Sequence, residues 1–153
     1  MLKLFRNEVN ELEARYATAS QVGYNRMAKL QVDLVQRLCE VDSQESITLI
    51  GKLMENGNNH DYMNFALPNL LEAHWPYSKH KEIVGEVFIH GMKYGQNEDL
   101  QSGCIHKLLK ASYKDAYNAI AEYQSLLRFN NEERPEYWQS LLSLVNYAEK
   151  QLC

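Results

Sequence analysis

Apolar residues recur along the chain at spacings of three and four positions, the period of an amphipathic α-helix rather than of a β-strand. The pattern predicts six helices, over approximately residues 3–19, 25–41, 43–57, 59–75, 78–94 and 97–110. Two more are predicted over residues 113–129 and from Pro135 to the C-terminus. Because the connections are short, the sequence predicts an all-α fold of about eight helices forming one domain over residues 1–153.

Glycine and proline mark several of the predicted helix ends. Gly23 breaks the first helix, Gly57 ends the third as a left-handed cap, and the fifth stops at Gly95. Pro68 lies inside the fourth helical pattern, where its ring removes a backbone donor. A kink at this position, or a split at Leu67, is therefore expected.

An internal repeat is visible between residues 57–73 and residues 95–111, which follow 38 positions later. Six of the 17 aligned positions are identical: Gly57/Gly95, Asn59/Asn97, Asp61/Asp99, Leu70/Leu108, Leu71/Leu109 and Ala73/Ala111. The shared residues predict a helical hairpin. Glycine would end its first helix, asparagine would cap its second, and aspartate would lie in the first turn against the positive helix end.

The repeat period is close to that of two-helix HEAT-type repeats. From residue 43 onward the chain resembles a short HEAT-like array of α-hairpins. This resemblance implies antiparallel hairpins over residues 43–75, 78–111 and 113–152, stacked as an α-α superhelix and preceded by a helix pair over residues 1–41. A globular helical bundle is the alternative architecture.

Composition and charge narrow the classes of function. The net charge is −4 with a pI of about 5.7, which disfavours binding to nucleic acid and to anionic membranes. Charged residues interrupt the first stretch too early for a signal peptide, and no window approaches the roughly 18 apolar residues of a membrane span. With three widely spaced cysteines, Cys39, Cys104 and Cys153, we expect a cytoplasmic protein without a disulfide framework.

No catalytic or metal-binding motif stands out. The pair His60-Asp61 is preceded by no other histidine, so it cannot supply the ligand set of a metal phosphohydrolase. Cys104 and His106 are two positions apart on a predicted helix and point in different directions. The sequence therefore predicts a protein that is not an enzyme and holds neither cofactor nor metal.

Two alternatives stay open at this point. One is a pocket between helices that binds a small molecule or a substrate. The other is a nucleic-acid-binding face, for which the middle of the chain offers Lys79, Lys81, Lys93, Lys107, Lys110 and Lys114.

The ten tyrosines and two tryptophans favour a protein interface instead. As a small, mildly acidic, single-domain helical protein, the chain resembles bacterial immunity proteins that neutralise toxin domains. The resemblance implies occlusion of a basic toxin domain by acidic and aromatic side chains. The partner-binding residues predicted at hairpin turns and corners are Asp61, Trp75, Tyr77, Tyr94, Glu98 and Asp99. Alternatively, Trp75 packs over the edge of the core and Tyr77 shields it.

Overall fold

The computed structural model describes residues 2–55, 59–111, 118–119 and 150. Within them, α1 to α6 occupy Leu2–Ala17, Tyr24–Val41, Gln44–Glu55, Met63–His74, Lys81–Tyr94 and Glu98–Ala111. Short 3₁₀ turns cover Ala19–Val22 and Trp75–Tyr77. These residues contain no strand, so the all-α prediction is confirmed for them. The predicted hairpin over 113–152, with the seventh and eighth helices, lies outside the described residues except for 118–119 and 150.

The six helices alternate between two layers. α1 packs on α3 and α3 on α5, whereas α2 packs on α4 and α4 on α6. Consecutive helices joined by short turns also contact each other, as α1 does α2 and α5 does α6. This order sets the pairs α1–α2, α3–α4 and α5–α6 side by side.

The core lies between these layers. Each helix turns an apolar stripe toward it, and burying one such side chain contributes about 1.5–3 kcal/mol. The largest fully buried side chains include Tyr16, Leu38, Ile47, Ile50, Met54, Met63, Leu67, Leu71, Phe88, Met92, Leu100 and Ile105. The fold therefore rests on a hydrophobic seam to which every helix contributes.

The pattern of buried residues gives a different repeat offset from the one found by comparing the sequence with itself. In α3 and α5, positions 38 residues apart are buried alike, as in the fully buried pairs Ile50/Phe88 and Met54/Met92. In α4 and α6 the matching positions are 37 residues apart, in the pairs Met63/Leu100, Leu67/Cys104 and Leu71/Leu108. The 38-residue alignment would pair exposed Tyr62 with buried Leu100, so it is wrong for these two helices.

The first two helices show a similar pattern. The buried apolar residues of α1 lie 38 positions before buried residues of α3, in the pairs Val9/Ile47, Leu12/Ile50 and Tyr16/Met54. Positions 36 residues apart in α2 and α4 are also buried, in the pairs Met27/Met63, Gln31/Leu67 and Val35/Leu71. The N-terminal helix pair therefore presents the same buried face as the pairs that follow it.

The entry into α4 differs from the prediction. Asn59 does not cap this helix, because its side-chain amide instead donates to the Leu53 carbonyl oxygen at 2.8 Å. Asp61 precedes the helix rather than lying in its first turn. Asn97 does cap α6, since its side-chain oxygen accepts the Leu100 N–H at 3.0 Å. The same residue type thus serves two purposes, depending on which backbone groups are unpaired nearby.

Glycine and proline also behave in part as predicted. Gly95 ends α5 in an extended conformation, with φ −54° and ψ 147°, while Gly57 lies outside the described residues. α4 runs through Pro68 without the split expected at Leu67. The ring of Pro68 faces Gly103 on α6, where an added Cβ would lie 3.2 Å from the proline Cγ. The missing side chain on α6 therefore makes room for the proline.

Two helix-interior glycines give opposite stability predictions. A Cβ on Gly91 would lie 2.5 Å from Met54 Sδ and 2.6 Å from Cys104 Sγ, and both neighbours are fully buried. A Cβ on Gly51 would meet Val87 and His90 at 3.5–3.8 Å, ordinary contact distances. We expect Gly91→Ala to destabilise the fold by about 1–3 kcal/mol through overpacking. Gly51→Ala should stabilise it by about 0.5–1 kcal/mol, because alanine is the better helix former.

Urea unfolding of both variants and the parent chain measures this difference. Equal effects of the two substitutions would contradict the packing described for Gly91.

Candidate functional site

Three turns lie together at one end of the described helices. Hydrogen bonds connect the second turn to the first helix pair, since the Tyr16 hydroxyl donates to the Asn59 side chain and the His60 N–H donates to Gln31 Oε1 at 2.8 Å. The third turn is held in the same way, because the Gln96 N–H donates to the Met54 carbonyl oxygen at 2.9 Å. We call the surface formed by residues 18–24, 59–65 and 94–99 the turn end.

Exposed large apolar side chains concentrate at the turn end. Among the described residues, the structure leaves six such side chains exposed, and five of them belong to this surface: Val22, Tyr24, Tyr62, Phe65 and Tyr94, exposed by 46–63%. The sixth, Tyr77, lies at the opposite end. Exposed apolar side chains are ordinary when scattered singly, whereas a cluster of them marks an interaction surface.

Tyr24 is the best-defined member of this cluster. Gly23, with φ 95°, turns the chain sharply into α2 and places Tyr24 at the first position of that helix. One ring face of Tyr24 lies against the His60 imidazole, with 4.3 Å between ring centroids. The Tyr24 hydroxyl donates to Asp61 Oδ2 at 3.4 Å, a long hydrogen bond. These contacts link the first and second turns into one surface.

The turn end itself carries acidic side chains, while basic side chains border it: Arg26 and Lys29 line a concavity with Val22, and Lys93 lines a groove with Tyr94. Residues 18–24, 59–65 and 94–99 contain three carboxylates, Asp61, Glu98 and Asp99, and neither lysine nor arginine. The acids of α6 lie in its first turn, where the positive helix end favours them. The surface therefore combines aromatic area with negative charge.

The six residues predicted from the sequence do not share one surface. The structure places Asp61, Tyr94, Glu98 and Asp99 at the turn end, and Trp75 and Tyr77 at the opposite end. The prediction did not include Tyr24, Tyr62 or Phe65.

A sequence signal for Phe65 existed. Met63, Leu67 and Leu71 form the buried stripe of α4, and a residue two positions after Met63 points away from it. For Tyr24 and Tyr62 the signal was weaker, because their exposure depends on where α2 and α4 begin.

Trp75 is half-buried and packs against the core. Its ring lies 5.0 Å from that of Phe88, between centroids, and its Nε1–H donates to the Lys81 carbonyl oxygen at 3.0 Å. Tyr77 is 82% exposed. This geometry agrees with Trp75 packing over the edge of the core.

A partly buried carboxylate, that of Asp42, organises the end that carries Trp75. Asp42 Oδ1 accepts from Ser78 Oγ at 2.7 Å and from His74 Nε2 at 2.8 Å, and Oδ2 accepts the Lys79 N–H at 2.8 Å. Burial alone would raise the pKa of Asp42, but the bonds from Lys79, Ser78 and His74 outweigh it and hold the pKa below its ordinary value. Asp42 also has φ 48°, which makes it the only described non-glycine residue in the left-handed region.

This cluster contains serine, histidine and aspartate but not the geometry of a catalytic triad. In a triad the serine donates to the histidine, which in turn is oriented by the aspartate. Here Ser78 and His74 both bind the same oxygen of Asp42. The Ser78 oxygen also accepts the His80 N–H at 2.9 Å, so the group fastens helix ends together.

A groove of about 400 Å³ runs between α3 and α5 and reaches the turn end at Tyr94. Gly51 and Val87 form part of its lining, together with Lys52, Lys93 and Tyr94. Across the groove, His90 Nε2 lies 3.0 Å from Glu55 Oε2. The volume would suit a small ligand.

The two described cysteines, Cys39 and Cys104, have a structural role in the core. Cys39 and Cys104 are buried, as predicted, and burial raises the pKa of the Cys39 thiol to about 12 and that of Cys104 further. Both thiols are therefore poor nucleophiles. Within the described part of the chain, histidine, cysteine and acidic side chains form no group of three able to hold a metal ion.

The lysines considered for nucleic-acid binding do not gather on one face of the described structure. Lys79 and Lys81 lie near the opposite end of α5 from Lys93. Lys107 and Lys110 approach the Glu72 carboxylate at 3.2 and 3.7 Å. Lys114 lies outside the described residues.

Comparisons with known proteins found no matching family model, no matching curated protein and no matching solved structure. Among the described helices, none has the length and apolar character needed to cross a membrane.

The Asp42 cluster predicts a pH-dependent loss of stability. Asparagine tolerates the left-handed backbone but lacks the charge, so Asp42→Asn should lower the free energy of unfolding by about 1–3 kcal/mol at neutral pH. Since the folded pKa is lowered, the stabilisation is complete above the ordinary value of 3.8 and disappears as the pH falls through the folded pKa. Urea unfolding of parent and variant between pH 7 and 2.5 should show the difference shrinking in acid.

Exposed Asp33 on α2 supplies the control, because Asp33→Asn should change stability little at any pH. A pH-independent difference for Asp42→Asn would contradict the charge-assisted bonds.

Substitutions at Trp75 and Tyr77 should have different effects on stability, although the two residues are only two positions apart. We expect Trp75→Ala to cost about 2 kcal/mol or more, because it removes the contact with Phe88 and the bond to Lys81. Tyr77→Ala should stay within about 0.5 kcal/mol of the parent. Thermal unfolding measures both variants, and equal losses would show that Tyr77 also supports the core.

Proposed function

We propose that the chain is a non-catalytic protein-binding module, built as a short HEAT-like stack of α-hairpins, that binds its partner through the turn end. The alternation of helices between two layers and the repeated burial pattern support the stacked architecture. Repeats of this kind bury a shared core between neighbours and present their turns and outer helix faces to other macromolecules.

The observation that carries this proposal is the segregation of exposed aromatic side chains. Tyr24, Tyr62, Phe65 and Tyr94 all lie at the turn end. Aromatic side chains supply large contact area at low entropic cost, and they are enriched among the residues that dominate binding energy. Leaving them in water benefits neither the fold nor solubility, so a partner is the simplest reason for their position.

The partner that this surface fits is a protein with a basic patch. Three carboxylates and no lysine or arginine lie within the turn end, so complementary charge would speed encounter. This is the chemistry implied by the likeness to toxin-immunity proteins. In that role the turn end would cover the active surface of a basic toxin domain in the cytoplasm of a bacterium.

The test compares the turn end with the opposite end in one experiment. The tagged full chain, its Tyr62→Ala/Phe65→Ala double variant and Tyr77→Ala are used to capture proteins from the source cells. The double variant should retain its partner at least about tenfold less well, whereas Tyr77→Ala should retain it fully. Circular dichroism confirms that all three proteins are folded.

Two measurements on the captured partner extend the test. Its association rate with the chain should fall as ionic strength rises, because exposed charges are screened. If it is a toxin, stoichiometric addition of the chain should abolish its activity. Equal capture by the double variant would disprove the proposed surface, and a captured partner that is indifferent to salt would disprove the charge argument.

A further inference from the structure

Asp61 and Tyr24 form a small constellation within the turn end. Both side chains are exposed, and the Tyr24 hydroxyl lies 3.4 Å from Asp61 Oδ2. The carboxylate therefore sits beside the edge of the aromatic ring. At 3.4 Å this hydrogen bond is long, and it occupies one of the two carboxylate oxygens. Asp61 keeps acceptor capacity directed to the solvent.

The ring of Tyr24 packs against His60 and is otherwise largely open to solvent. His60 covers one face at 4.3 Å between centroids, and the turn that carries His60 is fixed by the bond from its N–H to buried Gln31. Tyr24 nevertheless remains 63% exposed. The ring is thus backed by the protein and presents open aromatic surface next to a carboxylate.

We propose that this constellation is a binding site for an arginine side chain of the partner protein, an inference that rests on the proposed function. The guanidinium plane would stack on the open face of Tyr24 and donate two N–H groups to Asp61. Stacking and paired donation occur together naturally, because the guanidinium is flat, delocalised and weakly hydrated.

Other charged groups fit less well. A lysine ammonium could pair with Asp61, but it is a compact and strongly hydrated point charge that cannot stack on the ring. Anionic groups such as phosphate would be repelled by the Asp61 carboxylate beside the Tyr24 ring. The site therefore selects for arginine within a basic partner surface.

The experiment titrates the full chain with three blocked tripeptides that carry a central arginine, lysine or citrulline. Citrulline keeps the planar shape and loses the charge. Two-dimensional NMR follows the Tyr24 ring and the Asp61 amide at fixed ionic strength. The arginine peptide should give saturable shifts at both positions, at least about fivefold tighter than the lysine peptide, and citrulline should give none.

Four variants locate the site. Asp61→Asn and Tyr24→Ala should each weaken the arginine peptide by about tenfold, whereas Tyr24→Phe keeps the ring and most of the affinity. Asp33→Asn is the matched control, because this exposed acid lies on α2 about 13 Å along the helix from Tyr24. Equal binding of citrulline, or an undiminished response of Asp61→Asn, would overturn the arginine site.

The partner captured in the preceding test separates the two proposals. A partner lost by Tyr62→Ala/Phe65→Ala but retained by Asp61→Asn would overturn the arginine site and leave the protein-binding role standing. Loss with Asp61→Asn and retention with Asp33→Asn would support both.

Discussion

The carbonyl groups at the end of α3 have no hydrogen-bond donor inside their own helix. The donors that pair with them come from neighbouring turns, and these bonds determine how the turns are arranged. Asn59 donates to Leu53, and the Gln96 backbone donates to Met54. The second and third turns thereby both satisfy carbonyl groups at the end of α3. Because an unpaired buried carbonyl is costly, these bonds fix the turns at one level of the molecule. The turn end is a consequence of this constraint.

Local patterns explain what the sequence could predict. The apolar stripes of the first six helices were sufficient to place them, since period and burial agree from Val9 to Leu108. Gly95 and Asn97 act within a few residues of their own positions, so their roles as helix end and cap were predictable. The burial of Cys39 and Cys104 followed from their apolar neighbours.

Contacts between distant residues explain what the sequence could not predict. The sequence pattern predicts that Asn59 caps α4, but its side-chain amide donates to the Leu53 carbonyl oxygen at the end of α3 instead. The repeat offset is 38 residues in the layer of α1, α3 and α5 but 36 and then 37 in the layer of α2, α4 and α6, and this difference is invisible to an identity count. The partners of Asp42 lie 32, 36 and 37 residues away, which no local pattern can specify. Tyr24 and Tyr62 were missed for a different reason, because their exposure depends on the exact residues at which α2 and α4 begin.

Asp42 has a consequence for how the molecule can come apart. It ends α2, whereas its three donors come from the end of α4 and the approach to α5, so one carboxylate joins all three helix pairs. In a simple linear array a terminal unit can detach while the others persist. Detaching one helix pair here would break hydrogen bonds of Asp42, which raises the free energy of partial unfolding. The three pairs should therefore unfold as a single cooperative unit.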